Sequence, residues 1–307
     1  MSEATLTRDQ PASLASPRVA TGWLRNPWRK PRFLQAVTWS YLVWSTLPVV
    51  IAIVFSFNAG RSRSTWQGFS LRWWYQDPFD SLWNDPALRT AMFQTLRLSI
   101  VTMIVSVPLG TAFAIGIDRW RGRPAATANF FMLFSFVMPE IILGVSLFLL
   151  FSNLFEGVVQ LGTTAQILGL VTFQISYPVI VVRARLLSIG AEFEEAAMDL
   201  GASPTQALRR VLLPLLWPAI LASAALVFAD SVDNFVTVRY LSGPASSEPL
   251  SVKIYSAARS SPTPAVNAAA TVMLVTTLAV IALAWFLYRR ITGDRGETMS
   301  AAGLAEL

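Results

Sequence analysis

The segment "EEAAMDLGASPTQALRRVLLP", Glu194 to Pro214, is charged and rich in small residues, yet it lies between two stretches apolar enough to cross a bilayer. Its local signals describe two short helices with a corner. Ala191 to Leu200 consists of good helix formers, with Phe193, Ala197 and Leu200 on overlapping three- and four-residue spacings. Glu192, Glu194 and Glu195 crowd the first turns, where carboxylates favour the positive helix end. Gly201 supplies a position that adopts positive φ at little cost. Ser203 can then cap a second helix, Pro204 fits its first position and Gln206 completes a capping box. That helix is expected to run through Arg209 and Arg210 into the next apolar stretch. Two readings of the segment stand on physical grounds: an interfacial connector lying on lipid headgroups, or a docking helix that a cytoplasmic partner grips, its alanines permitting close approach and its carboxylates giving oriented contacts.

Outward from this segment the chain reads as an all-α, polytopic membrane protein. Of its 307 residues, 54% are hydrophobic and 14% charged, and the mean hydropathy is +0.51; a soluble domain of this length carries nearly twice the charge. The net charge of +6 does not point to nucleic acid, because the basic residues sit mostly in short segments between apolar runs. Cysteine and histidine are absent, which excludes disulfides, thiolate ligands and imidazole chemistry and leaves only a carboxylate site formally open for metal or catalysis.

A run of roughly 20 apolar residues crosses about 30 Å of hydrocarbon. Six such runs are expected, at about Val37–Phe57, Met92–Ile117, Phe130–Phe151, Ala165–Val182, Val211–Phe228 and Ala268–Tyr288. The third contains "MPEIILG", Met138 to Gly144, where a proline and a glutamate interrupt the run. The first run begins too far from Met1 for a cleavable signal peptide. The expected organisation is a cytoplasmic tail over 1–35, disordered to about Thr21, a transmembrane domain over 36–290 with the corner at about 190–210, and a second tail over 291–307. The two tails with Arg289 and Arg290 at the end of the sixth run, the turn "DRWRGRP" at Asp118 to Pro124 and the segment between spans four and five hold 16 of the 24 basic residues, so the positive-inside bias places both termini in the cytoplasm. Trp66, Trp73, Trp74, Tyr75 and Trp83 then fall on the outside, as an interfacial aromatic belt or as a partner-docking surface.

Charges inside spans are costly unless they meet water, a partner or a substrate. Glu140, beside the Pro139 break, and "FADSVDNFV", Phe228 to Val236, with Asp230, Asp233 and Asn234, are therefore the candidate substrate-pathway residues. Carboxylates with aromatic faces suit an organic cation. A hydrated helix end is the alternative for Asp230 and Asp233, and an ion pair or an external position the alternative for Glu140.

"EAAMDLGASPTQALRRVLLPLLWPAI", Glu195 to Ile220, resembles the cytoplasmic loop of permeases of ATP-binding cassette importers of type I fold: Glu195, Ala196 and Ala197 match its opening, Gly201 its glycine, and Leu213 and Pro214 its terminal pair. "FSLRWWYQDPF", Phe69 to Phe79, "MPEIILGVSLFLLF", Met138 to Phe151, and "SGPASSEPLSVKIYSAARSSPTPAVNAAATVML", Ser242 to Leu274, resemble segments of the second permease of spermidine and putrescine importers. The resemblance covers about Val37 to Tyr288. It implies six transmembrane helices and a coupling helix, with Glu195, Ala196, Ala197, Gly201, Ser203 and Pro214 at the joint to an ATPase. It further implies a second related permease, two ATPase subunits that carry ATP and Mg, an extracytoplasmic binding protein, and a bacterial inner membrane. The chain has no Gly-rich phosphate loop, no cofactor of its own and no paired base and nucleophile, so it is expected to be non-catalytic. The resembled polyamine permeases tend to carry a second acid where this chain has Asn234, which weakens the spermidine assignment and leaves a smaller amine, another cation or ferric iron open. A membrane scaffold that keeps the fold without transporting solute is the competing class.

Overall fold

The computed structural model describes residues 32–62, 65–119, 122–260 and 263–293; the side chains of Arg123 and of 291–293 are outside the description. Of the tails expected over 1–35 and 291–307, residues 1–31 and 294–307 lie outside the described residues.

The regular secondary structure of the described residues is helical, apart from one isolated antiparallel bridge between Asn58 and Phe69. The chain divides at Ile51 into two units. The first holds most of α1, Arg32–Phe55, a 24-residue helix with no buried residue. The second holds α2 (Pro86–Arg119), α3 (Arg123–Val137), α4 (Glu140–Leu149), α5 (Thr163–Gln174), α6 (Ser176–Ile189), α7 (Glu192–Asp199), α8 (Pro204–Ala207), α9 (Leu213–Asp233), α10 (Val236–Tyr240), α11 (Leu250–Arg259) and α12 (Pro264–Gly293).

Five helical stretches are long and apolar enough to cross a membrane; the sixth is a pair, α3 and α4, bent by 103° at Met138 and Pro139. The single helix expected over 130–151 is therefore two. Pro139 lacks the N–H that would continue the ladder, and α4 restarts at Glu140. The pair still makes one traverse. At one end of α2, Gln94 Nε2 donates to Thr163 Oγ1 at the start of α5 (2.9 Å), and at the other end Arg119 is ion-paired with Glu194. The chain between α2 and α5 must cover that length.

The fourth span also differs from expectation. It extends to Ile189 rather than ending near Val182, and it breaks at Ile175 between α5 and α6. Pro178 cannot donate to the carbonyl of Gln174, which accounts for the break. Arg183 is carried inside the helix because its guanidinium donates to Asn129 Oδ1 on α3.

The long helices meet in four clusters of core among the described residues, two of which lie toward opposite ends of α2. Near the Gln94 end, Trp73, Leu88, Met92, Leu250, Ala265 and Ala269 form one cluster. Near the Arg119 end, Ala114, Val179, Val182, Leu186, Leu212 and Leu216 form another. Between them α2 presents Ser99, Thr102 and Ser106, all buried, on the spacings of a single helix face; small polar residues let membrane helices approach closely. α2 packs along both α6 and α9 and is the spine of the bundle.

Before α2 the loop is tightly built. Trp73 is fully buried, and its Nε1 donates to the Asn58 carbonyl at 2.7 Å. Asn58 in turn donates to the carbonyls of Ser62 and Thr65 and accepts from Gln67 N. The Asp77 carboxylate accepts from the backbone of Phe79 (3.1 Å) and Asp80 (2.9 Å) and from Arg72 Nε (2.8 Å). These bonds hold its pKa down at about 2, the two backbone donors first and Arg72 after them. The aromatic residues expected to act together on the outside thus divide: Trp73 is core, whereas Trp66, Tyr75 and Trp83 are about half exposed.

Candidate functional site

Three helix interruptions bring their polar side chains together. α4 begins at Glu140 after the Pro139 break, α9 ends at Asp233 with Asn234 as its cap, and Gln174 and Tyr177 flank the break at Ile175. Irregular backbone at membrane depth is tolerated where it is buried in protein or lines a cavity, and here it carries the acids.

Glu140 Oε1 accepts from Asn234 Nδ2 at 2.5 Å, from Thr237 Oγ1 at 3.0 Å and, at 3.4 Å, from Thr237 N. The carboxylate at one break is stapled to the backbone and side chains of the other. Asn234 is fixed from its second side, since its Oδ1 accepts from Val238 N and its carbonyl accepts from Ser251 Oγ at 2.7 Å. An amide at 234 supplies a donor to Glu140; a second acid there would face Glu140 with like charge.

Asp230 lies one helical turn before Asn234, on the same stripe of α9. Its Oδ1 accepts from Tyr177 Oη at 3.0 Å and its Oδ2 from Gln174 Nε2 at 3.1 Å. Gln174 is completely buried; its Oε1 lies 2.7 Å from Ser231 Oγ, a hydroxyl that also lies 2.7 Å from the Val227 carbonyl, and the donor contact to the Asp230 carboxylate fixes the direction of the amide. The Tyr177 ring stands edge-on between Phe136 (5.9 Å) and Phe173 (6.1 Å). Among the described residues neither Glu140 nor Asp230 forms an ion pair with Lys or Arg; every donor named is neutral.

Of the four residues singled out from the sequence, Glu140 and Asn234 are in direct contact and Asp230 adjoins them. Asp233 does not join the cluster. It is exposed and lines a separate groove of ≈ 420 Å³ with Ala229, Leu250, Ile254, Ala270 and Met273. Sequence reasoning passed over Gln174, Tyr177, Ser231 and Thr237. The signal for the first two was present in "QISYP", Gln174 to Pro178, a polar and proline-containing break inside an apolar run.

The segment from α7 into α9 follows its local signals closely. α7 buries no side chain; Phe193 is 54% and Leu200 90% exposed, and Glu195 and Ala196 are exposed beside them. Gly201 has φ +88. Ser203 Oγ accepts from Gln206 N (3.3 Å) while Gln206 Oε1 accepts from Ser203 N (3.0 Å), so the capping box is formed. α8 passes through a wide π-helical turn, Leu208–Leu212, into α9, whose first turn contains Pro214. Pro214 has no N–H to give and its ring crowds the Arg210 carbonyl, a setting in which the looser turn is favoured. An apolar, small and acidic surface is left facing solvent at the head of the helix that carries Asp230.

Residues 106–293 match the family model described as "Binding-protein-dependent transport system inner membrane component". The chain is 33% identical over 254 residues to the spermidine/putrescine transport system permease protein PotC of Escherichia coli (strain K12), covering 82% of this chain and 92% of the relative. It is 32% identical over 276 residues to the putrescine transport system permease protein PotI of the same strain, covering 89% and 94%. Among solved structures, a chain of a bacterial ABC transporter involved in the import of the acidic polysaccharide alginate superimposes with a TM-score of 0.63 over 85% of this chain and all of that one, at 17% identity, which shows a shared fold. By its sequence match and by the arrangement of its helices, the chain belongs to the family of binding-protein-dependent transport system inner membrane components, non-catalytic permeases of ABC importers.

Proposed function

We propose that this permease subunit forms half of the pathway for a small organic cation, with putrescine or spermidine the best fit, in an ATP-driven importer. The observation that carries the reading is the pair of carboxylates, Glu140 and Asp230, each held by neutral donors and without a basic partner among the described residues, with the ring of Tyr177 beside Asp230. A cation entering there gains the charge that the protein does not supply, and aromatic faces offset part of its lost hydration. The names of the relatives, PotC and PotI, support an amine. Asn234, occupied with Glu140, keeps the site's charge lower than a third carboxylate would, in favour of the smaller amine. Asp233, set apart in its groove, would act at the pathway's edge.

The remaining parts follow the same reading. A second, related permease completes the pathway, an extracytoplasmic binding protein delivers the solute, and two ATPase subunits carrying ATP and Mg meet the segment with Glu195, Ala196, Ala197, Gly201, Ser203 and Pro214. The membrane is the bacterial inner membrane, with both tails in the cytoplasm. Substituted cysteines at Ser16, Ser70 and Ser300 test the topology in intact cells, and only Ser70 should react from outside.

The substrate test is reconstitution with the cognate permease, ATPase and binding protein, followed by competition among polyamines, amino acids, sugars and ferric chelates. Amines should compete, and Asp230→Asn and Glu140→Gln should each lower amine uptake while ATPase assembly is retained. Import of a sugar or an anion with no amine competition would sink the cation reading, and a folded complex that moves no solute would favour the scaffold.

A further inference from the structure

Glu194 and Glu195 are neighbours in the chain and differ in surroundings. Glu195 is exposed, whereas the side chain of Glu194 is 15% exposed and ion-paired with Arg119 in the last turn of α2. Arg119, 36% exposed, also contacts Asp118 at 3.1 Å. The Arg119–Glu194 pair borders a cavity of ≈ 400 Å³ between the end of α2 and the cytoplasmic segment, walled by Ile115, Ala191, Met198, Pro204 and Leu208.

α7 is otherwise loosely fastened. It buries no residue, and its packing is mainly on the segment that follows it, Pro204–Leu212. A glycine in the left-handed region stands on either side, Gly190 at φ +74 and Gly201 at φ +88, with open space around both. A helix between two such joints can pivot unless a side chain stops it. α2, at the other end of the ion pair, packs along α9, the helix of Asp230.

We propose that Arg119 and Glu194 act as positioning residues, a tie that makes α7 and α2 move as one body. Displacement of α7 then reaches the carboxylate site through α2 as well as through α8 and α9. The inference rests on the reading of α7 as the ATPase contact.

The test uses the complete reconstituted transporter. Glu194→Arg and Arg119→Glu should each retain the ATPase on co-purification yet lower solute-stimulated hydrolysis by roughly fivefold, the upper scale of a partly exposed ion pair. The double variant, with the charges exchanged, should return to within about twofold of the parent. Failure of the exchange to restore stimulation would overturn the tie. So would loss of the ATPase in Glu194→Arg alone, which would place Glu194 against the partner. Because the chain has no cysteine, Arg119→Cys with Glu194→Cys gives a single pair for a short cleavable thiol cross-linker, a check that does not depend on the reversed charges folding. Cross-linking should restore stimulated hydrolysis, and cleavage should remove it again. Inhibition by the cross-link would mean that the two helices must separate in each cycle, and the proposal would be wrong. Normal ATPase association and hydrolysis in Glu195→Lys and Gly201→Val, by contrast, would count against the docking reading and leave the geometry of the tie untouched.

Discussion

The loop at Asn58–Asn84 and the segment at Glu192–Arg210 are both short connections beside long apolar helices, but one is built like a domain core and the other like a handle. The loop buries Trp73 and Leu82 completely, and around Asn58 and Asp77 it satisfies backbone groups with side chains held in place by several bonds each. In the handle, α7 buries nothing, and order comes from helix capping, two glycines and one ion pair. The contrast separates stability from transmission. Damage to the loop should cost folding, whereas damage to the handle should cost coupling in a protein that still folds.

The largest effect is expected at Trp73. Truncation to Ala removes a fully buried indole and a hydrogen bond and should cost about 3–5 kcal/mol, seen as a lower melting temperature and a lower folded yield in detergent. The matching truncation, Phe193→Ala in α7, should leave melting unchanged, and equal losses at the two sites would break the comparison. Next is Gly201→Val. The space around Gly201 is open, so the strain comes from the backbone and should be about 1–3 kcal/mol, confined to the corner. Gly201→Ala should be milder. The measurement is ATPase co-purification and stimulated hydrolysis, alongside Glu195→Lys; normal values in both variants would remove the handle's role.

A pH profile sharpens the other side. The Asp77 carboxyl titrates at about 2 in the folded protein against an ordinary value of 3.8. Its contribution is therefore fully present above the ordinary carboxylate range and is lost as the pH falls through about 2. Asp77→Asn keeps an acceptor for the backbone but loses the charge opposite Arg72. It should cost about 1–2 kcal/mol at neutral pH and flatten the acid limb of the melting profile. An unchanged acid limb would mean that the loop's stability lies elsewhere. The smallest effect is Ser203→Ala, which removes half of the capping box for about 1 kcal/mol. It should soften stimulated hydrolysis while global melting stays within error, and a full loss of coupling would show that Ser203 touches the ATPase itself.

What could be read from the sequence follows the same division. The handle was legible because capping is local: Ser203, Pro204 and Gln206 specify each other within four residues, and Gly201 specifies the turn before them. The Pro139 break was legible for the same reason, although its 103° angle was not, since that depends on what α3 and α4 pack against. The partners of Asp230 were hidden because Gln174 and Tyr177 are more than 50 residues away along the chain and look like ordinary polar residues in a span. Spacing also could not separate Asp233 from Asp230. Three residues on a helix leave two side chains within about 60° of each other, and only the neighbouring helices decide which one is enclosed. The helix of the fourth span continues past the expected end near Val182 through Arg183, whose partner Asn129 lies 54 residues away along the chain.

The wide turn at Leu208–Leu212 has a consequence for the length of the chain as opposed to its composition. It accommodates one residue more than an α-helical turn would, and each residue of α-helix advances the azimuth by about 100°. Removing one residue between Ala207 and Leu213 would let the helix close into a regular α-helix with α7 and α8 at nearly their present azimuth to Asp230, because about four α-helical residues turn through the same angle as the five of the wide turn. A one-codon deletion in the turn that spares the buried Leu212 would be absorbed, whereas the same deletion within the regular helix of α9 would aim the handle at a different side of the molecule.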